Sequence, residues 1–234
     1  MKRAPKKQRL PFVLVNMAMS ADGKIATANR AVSSFGSRRD HDHLLQLRAT
    51  ADAVMAGART ADLNPITLGP GPEKYRRLRL KRGLAEYNLR IIVSRSGSLD
   101  PNARVFESTF SPVIVLTARS APKAKLERLR ARGAEVRICG DREIDFSRAL
   151  AWLRQTWKVK RLLCEGGGEL NDALFRAGLV DELHVTICPR IIGGRSAPTI
   201  ADGLGVASLS AARQFALHRW KQVGDEIFAV FRSG

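Results

Sequence analysis

The amino-acid sequence predicts an α/β fold, an open and mostly parallel sheet that ends in an antiparallel hairpin. Three observations carry that reading. Short apolar, β-tending runs alternate with helical patterns along most of the chain, as in successive βα units. Residues 162–194, LLCEGGGELNDALFRAGLVDELHVTICPRIIGG, read as a buried strand that breaks into three glycines, a short helix and a second strand. Residues 214–222 and 226–232 read as two strands joined at Gly224 and Asp225, an antiparallel pair.

In chain order, residues 12–17 form the first strand, with VLVN at its centre. A loop, SADGKIATANR, follows and turns at Gly23. Residues 41–47 continue from Arg38, Arg39 and Asp40 as a helix, with Leu44, Leu45 and Arg48 around its surface, and residues 52–56 make a short strand ended by Gly57. Residues 59–72 are rich in Pro, Gly and Asn and too long for a simple turn, and such loops often serve function. Residues 73–82 return to a helical pattern. Strands are expected at 89–93, 112–117 and 135–139, interleaved with helices at 121–132 and 146–157. After the glycines, Leu170, Ala173, Leu174 and Ala177 recur at helical spacing, and Gly178 sits where a C-terminal cap glycine belongs. Leu183, Val185 and Ile187 then alternate with His184 and Thr186 as a strand that stops at Pro189. No internal repeat and no low-complexity linker intervenes, so residues 11–234 are expected to form one domain behind a flexible basic tail at 1–10.

A strand, a glycine turn and a helix N-terminus together suit an anion, because free backbone N–H groups and the positive end of the helix dipole point over the turn. The glycines Gly166, Gly167 and Gly168 are consecutive, and no G-K-[ST] follows, so neither the dinucleotide-fold nor the P-loop fingerprint is met. They leave the backbone free to take positive φ and a ligand free to approach without a Cβ in the way. The plainer reading is a tight turn with close strand–helix packing. Glu165 favours a ligand site, because a carboxylate at the end of a buried strand is costly without a ligand or a cationic partner.

The segment EGGGELNDALFRAGLVDELHVTICPRIIGG resembles the C-terminal signature of the riboflavin-pathway pyrimidine reductases. These are the reductase half of the bifunctional deaminase–reductases and the stand-alone archaeal and fungal reductases. The likeness runs from about residue 12 to the C-terminus. It implies a dihydrofolate-reductase-like three-layer sandwich, NADPH as cofactor and a homodimer. It further implies reduction of the ribosylamino group of a pyrimidine 5′-phosphate to a ribityl chain, by hydride delivery to the sugar C1′ of the opened imine form.

The resemblance also implies roles for single residues. Ser20, Asp22, Gly23 and Lys24 resemble the family's S-x-D-G-K segment, which places Asp22 near substrate and makes Lys24 catalytic, whereas the residues alone suit an ordinary turn salt bridge. Ala18, on the preceding strand end, is where the family backbone meets the cofactor. Ser33, Phe35 and Ser37 match a serine–aromatic–hydroxyl stretch, with Ser33 facing substrate and Phe35 facing cofactor in place of the usual tryptophan. Arg48, in LQLRA, matches a substrate-contacting arginine and would hold the 5′-phosphate, although alone it reads as an unremarkable solvent-facing side chain. Gly57, Ala58, Arg59 and Thr60 resemble the family's G-x-x-T before an acidic loop. Thr60 is assigned to the cofactor together with Asp62, although Asn64 is an equal candidate for the acid that the family places four residues on. Glu165 becomes both catalytic and substrate-binding, and Gly166, Gly167, Gly168, Glu169 and Leu170 hold cofactor phosphates. Ser94 stands where the family has aspartate. The lost negative charge leaves Arg95 free to meet the 2′-phosphate that separates NADPH from NADH. The 66–88 segment lacks a clean counterpart of the family's second substrate arginine, although it offers many arginines.

Composition agrees with one enzyme domain. At 234 residues and 44% hydrophobic, the chain can bury a sizeable core unaided by metals or disulfides. No apolar run approaches a membrane span, and Asn16, Ser20 and Asp22 cut short the one run that follows a basic stretch, so the cytoplasm is expected. Cys139, Cys164 and Cys188 are odd in number and widely spaced, and read as buried reduced thiols. Zinc deaminase motifs are absent, so no metal is expected; His41 and His43 point to different helix faces, and His184 and His218 read as strand residues with satisfied ring nitrogens. The net charge of +18 concentrates in the tail and in Lys74, Arg76, Arg77, Arg79, Lys81 and Arg82. Neither run is interleaved with aromatic residues, so a solvated tail and an exposed helix face are expected and nucleic acid is not. Two alternatives stand beside the main reading: a reductase of another pterin- or pyrimidine-like compound, and a basic nucleic-acid-binding protein.

Overall fold

The computed structural model describes residues 9–30 and 36–234. Ser33, Phe35 and most of the basic tail lie outside the described residues. The strands are β1 (Phe12–Ser20), β2 (Ala53–Gly57), β3 (Leu89–Val93), β4 (Val113–Thr117), β5 (Ala134–Ile138), β6 (Arg161–Cys164), β7 (Glu182–Cys188), β8 (Phe215–Val223) and β9 (Glu226–Ser233). The helices are α1 (Arg38–Arg48), α2 (Ala58–Leu63), α3 (Glu73–Lys81), α4 (Lys123–Ala131), α5 (Phe146–Thr156) and α6 (Gly168–Arg176).

Among the described residues, all nine strands share one sheet, in the order β5-β4-β3-β2-β6-β1-β7-β9-β8. The first seven of that order pair in parallel, and β9 runs antiparallel to both β7 and β8. Alternation along the strands sends side chains to two cores. Met55 of β2 packs with Leu150 and Leu153 of α5 and Leu174 of α6, whereas its neighbours Val54 and Ala56 pack with Leu47 of α1, Ala61 of α2 and Leu129 of α4. Helices therefore cover both faces and make three layers, as apolar strands buried on both sides require. The chain steps outward from β2 to β5 with helices on one face, then returns through α5 to insert β6 between β2 and β1 on the other. That change of direction under right-handed crossovers puts α5 and α6 opposite α1, α2 and α4.

Most expected elements recur with shifts of a residue or two at their ends, and three findings differ in kind. Where the 59–72 loop is expected to begin, residues Ala58–Leu63 are helical: Ala58 and Ala61 both face the core, and the Asn64 side-chain amide closes the turn on the Thr60 carbonyl at 2.9 Å. Six residues are too few to print a helical period. Strand β1 extends to Ser20, because β7 pairs with it through Cys188. Arg79, expected on a solvated face, is 0% exposed. Its guanidinium donates to the carbonyls of Arg48, Ala51 and Ala85 at 2.6–2.8 Å and so closes the C-terminal end of α1. The three cysteines are free and buried, as their spacing suggests.

Helix α1 is seated on β7 and β9 through polar groups. Ser37 caps it, accepting from the Arg39 and Asp40 amides and donating to Glu226 of β9 at 2.5 Å. His184 contacts Glu182 through Nε2 at 2.7 Å and His43 of α1 through Nδ1 at 3.2 Å. The carboxylate fixes the proton on His184 Nε2, so Nδ1 accepts from His43. Glu182 also meets Arg232 at 2.9 Å and Arg161 at 3.6 Å, and His43 lies edge-on to Phe228. Burial first, then the nearby His184 ring and the positive charges of Lys221 and Arg219, pushes the His43 imidazole down from 6.5 to about 4. Below 6.5 the unfolded chain therefore binds a proton that the folded state refuses until about pH 4. Stability is expected to be level above that window and to fall as pH drops through it. His184, also lowered by burial, acts in the same sense. Urea midpoints measured from pH 7.5 down to pH 4.5 check this: His43→Gln keeps a donor toward His184 and should remove much of the decline.

Candidate active site

Strands β2 and β6 are neighbours, yet the chain leaves β2 toward α2 on one face and β6 toward α6 on the other. A crevice opens at the carboxyl ends of strands where connections diverge in this way. The amide of Glu165 donates to the Met55 carbonyl and that of Gly57 to the Gly166 carbonyl, both at 2.8 Å, which fixes the two strand ends against each other. Over them lies a cleft of about 1370 Å³ that runs from Ser94 and Arg95, past Thr60 and Gly167, to Met17, Ile25 and Glu165.

The buried carboxylate at the end of β6 has a cationic partner, and it is Arg48. Arg48 Nε and Nη2 meet the two oxygens of Glu165 at 2.6 Å each, and Nη1 donates to the Gly69 carbonyl at 2.7 Å. Their side chains are 11% and 10% exposed. Arg48 is therefore not the solvent-facing side chain that its helix position suggests. Three of its five donors are committed, and Glu165, not Arg48, reaches the cleft wall. The 64–72 loop closes over this pair through Gly69.

The three glycines have three different reasons. Only Gly166 takes positive φ, at +78°, and a Cβ there would stand 2.8 Å from Met17 Sδ. A Cβ at Gly168 would stand 2.5 Å from the Thr199 carbonyl oxygen and 2.7 Å from Asp202 Cβ, so that glycine serves packing. Gly167 has φ −78°, and a Cβ there would meet within 4 Å only Thr60 Oγ1, at 3.3 Å. It is the glycine that opens onto the cleft. It is also the N-cap of α6, where no side chain takes the first backbone N–H groups.

The other expected residues divide between cleft and scaffold. Thr60, Asp62, Asn64, Ser94, Arg95, Glu169 and Leu170 line the cleft. Asp62 accepts from the Asp100 amide at 3.0 Å, and burial raises its carboxyl above the usual range. Ser94 Oγ accepts from the Ser98 amide at 2.9 Å and shapes the turn that presents Arg95, which pairs with Glu143 at 3.2 Å. Ala18, Asp22 and Lys24 do not line the cleft; Met17, Ile25 and Ala26 do. Asp22 and Lys24 do not pair with each other as the ordinary turn salt bridge that the residues alone suit. Asp22 accepts from Ser20 Oγ at 2.5 Å and from the amides of Ile192 and Gly193, which hold its carboxyl down at about 2, and Lys24 Nζ donates to the Ala197 carbonyl at 3.0 Å. Both tie the loop after β1 to the segment after β7. Sequence reasoning missed Arg30 and Arg59, two cleft-lining arginines. Arg59 stood inside the quoted Gly57–Thr60 motif as an unassigned position, and nothing in the spacing singled out Arg30.

A mostly parallel sheet with an antiparallel end, carrying a glycine-bearing cleft where its connections diverge, is the dihydrofolate-reductase-like α/β fold. The model of the RibD C-terminal domain matches residues 11–229, and the chain belongs to that family. It is 33% identical over 223 residues to the 2,5-diamino-6-ribosylamino-4(3H)-pyrimidinone 5′-phosphate reductase of Methanothermobacter thermautotrophicus, covering 94% of this chain and 97% of that one. The reductase of the same name from Archaeoglobus fulgidus is also 33% identical, over 82% of this chain and 87% of its own. Among solved structures, a pyrimidine reductase-like protein of Corynebacterium diphtheriae superposes with a TM-score of 0.78 at 25% identity, over 96% of this chain and 92% of that one. RibD of Acinetobacter baumannii superposes with a TM-score of 0.79 at 21% identity; this chain covers 58% of it and shares its fold.

Proposed function

We propose that the protein is an NADPH-dependent reductase of riboflavin biosynthesis that converts the ribosylamino group of a pyrimidine 5′-phosphate to the ribitylamino form. The observation that carries this reading is one continuous cleft joining the strand end at Arg95, the open glycine at Gly167 and the carboxylate of Glu165. The names of the archaeal relatives favour the 2,5-diamino pyrimidinone over its deaminated form. The donor set fits a nicotinamide dinucleotide. Gly167 offers a backbone cradle that a side chain would fill, the first N–H groups of α6 have no side-chain cap and suit anionic oxygens, and Thr60 and Ser94 line the same cleft. The nicotinamide supplies the hydride.

The protein supplies position and electrostatics. Glu165, held rigid by Arg48, accepts hydrogen bonds from the substrate's hydroxyl or amino groups, and the two uncommitted Arg48 donors lie behind it. That geometry makes Arg48 first the holder of Glu165. Lys24 and Asp22, bound to the 192–197 segment, keep the Ile25–Ala26 wall in place beside the substrate. We further propose a homodimer acting in the cytoplasm. The outer strand β8 exposes Leu217 and Trp220, and among the described residues no helix is long and apolar enough to cross a membrane. Nucleic acid is not among the proposed partners, since Arg79 of the basic run is spent inside the fold.

Turnover is tested by mixing the protein with NADPH and the 2,5-diamino ribosylamino pyrimidinone phosphate and following the nucleotide's absorbance. Loss of absorbance with a deaminated or pterin substrate alone would replace the assigned substrate. A second measurement tests the nucleotide preference. Arg95→Ala should weaken NADPH by roughly tenfold to a hundredfold, about 1.4–3 kcal/mol, as a charge-assisted phosphate contact is lost. NADH, with no 2′-phosphate, should change by less than about threefold. Equal losses for both would move the 2′-phosphate away from Arg95.

A further inference from the structure

Two arginines from separate elements converge across the mouth of the cleft. Arg59 of α2 places Nη1 2.9 Å from Glu169 Oε1, and Arg30, in the loop after β1, places Nη1 3.9 Å from the same oxygen. The other arm of Arg30 lies 3.7 Å from Asp202. The pair brackets the glycine turn. Arg59 adjoins Thr60, whose hydroxyl is the atom that a Gly167 side chain would meet, and Asp202 is, with the Thr199 carbonyl, what a Gly168 side chain would strike. We infer that Arg30 and Arg59 form a two-armed clamp for the diphosphate bridge of the dinucleotide, with Glu169 and Asp202 holding the arms until it binds. The inference rests on the reductase reading and names where that cofactor's shared anion is gripped.

Charge and exposure favour an exchange of partners. Arg30, Arg59, Glu169 and Asp202 have side chains 39%, 60%, 64% and 36% exposed, so their ion pairs are weak and easily released. A diphosphate offers each guanidinium two oxygens in a matching plane, which an exposed single contact to a carboxylate does not. The other cleft arginines are less suited. Arg176 is tied at 2.8 Å to Asp172, a buried acid, and Arg95 lies at the β3 end of the cleft, away from the glycine turn. Glu169, assigned on resemblance to the cofactor itself, becomes the group that yields its arginines to it.

Titration of NADPH and NADH into the unaltered protein and four variants tests the clamp. Arg59→Ala and Arg30→Ala should each weaken both nucleotides by the same factor, about five- to thirtyfold, because the diphosphate is common to both. Arg59→Lys should lose less, keeping the charge without the fork. Glu169→Gln removes the competing carboxylate and should tighten both by about two- to fivefold. Affinities unchanged in both alanine variants, or a loss confined to NADPH, would overturn the clamp while leaving the reductase reading intact. An unaltered protein that binds neither nucleotide would overturn the reductase reading, and the clamp with it.

Discussion

Arg48→Ala is expected to cost roughly 3–5 kcal/mol of stability, because it leaves a buried carboxylate without its counter-charge. The expectation follows from geometry: two 2.6 Å contacts between groups about one-tenth exposed. Water cannot fully replace the guanidinium, and the Gly69 carbonyl loses its donor as well. Had Arg48 been a free phosphate anchor at the cleft surface, the same substitution would raise KM for substrate and leave stability alone. The double variant Arg48→Met/Glu165→Met separates these accounts. Removing both charges together should restore much of the stability, since an apolar pair of similar volume often replaces a buried ion pair at little cost. It should not restore reduction, because Glu165 is the member that faces the cleft. Denaturant midpoints and turnover on the unaltered protein and both variants decide it. Wild-type stability in Arg48→Ala would sink the idea that Arg48 exists to hold Glu165.

The fold and much of the cleft were legible because both rest on local patterns. Strands such as β3 and β4 carry nearly unbroken apolar runs, and the hairpin turns at Gly224, where φ is +63°. The glycine turn was legible for the same reason, as a strand, a flexible turn and a helical period in sequence. What the sequence withheld was pairing at long range. Arg48 and Glu165 are 117 residues apart, and no spacing rule joins a helix on one face of the sheet to a strand end that returns from the other side. Local charge could not separate a buried arginine from a solvated one: Arg77 pairs with Glu73 in water, whereas Arg79, two residues on, is wholly enclosed by carbonyls. Asp22 and Lys24 show the opposite case, since two residues that suit a turn salt bridge are held by partners about 170 positions away.

Gly167→Val should abolish dinucleotide binding, a loss of at least about a hundredfold or roughly 2.7 kcal/mol, while the protein stays folded. The distinction among the three glycines makes this a sharp test. At Gly167 the backbone is in a region open to any residue, φ −78° and ψ −166°, and an added Cβ meets only a rotatable hydroxyl at 3.3 Å. The isopropyl group would then project into the cleft, over the N–H groups that a phosphate needs. Gly166→Val and Gly168→Val should behave differently. The first forces a β-branched residue to φ +78° against Met17, and the second drives a Cβ onto the Thr199 carbonyl oxygen, so both should unfold at markedly lower temperature. Gly167→Ala gives an intermediate step, with a smaller loss of binding and a melting temperature near that of the unaltered protein. Melting curves and NADPH titration of the four variants set the two properties against each other. If Gly167→Val instead melts as early as its two neighbours while a folded Gly167→Ala binds NADPH at full affinity, the turn is a packing element and the cofactor lies elsewhere in the cleft.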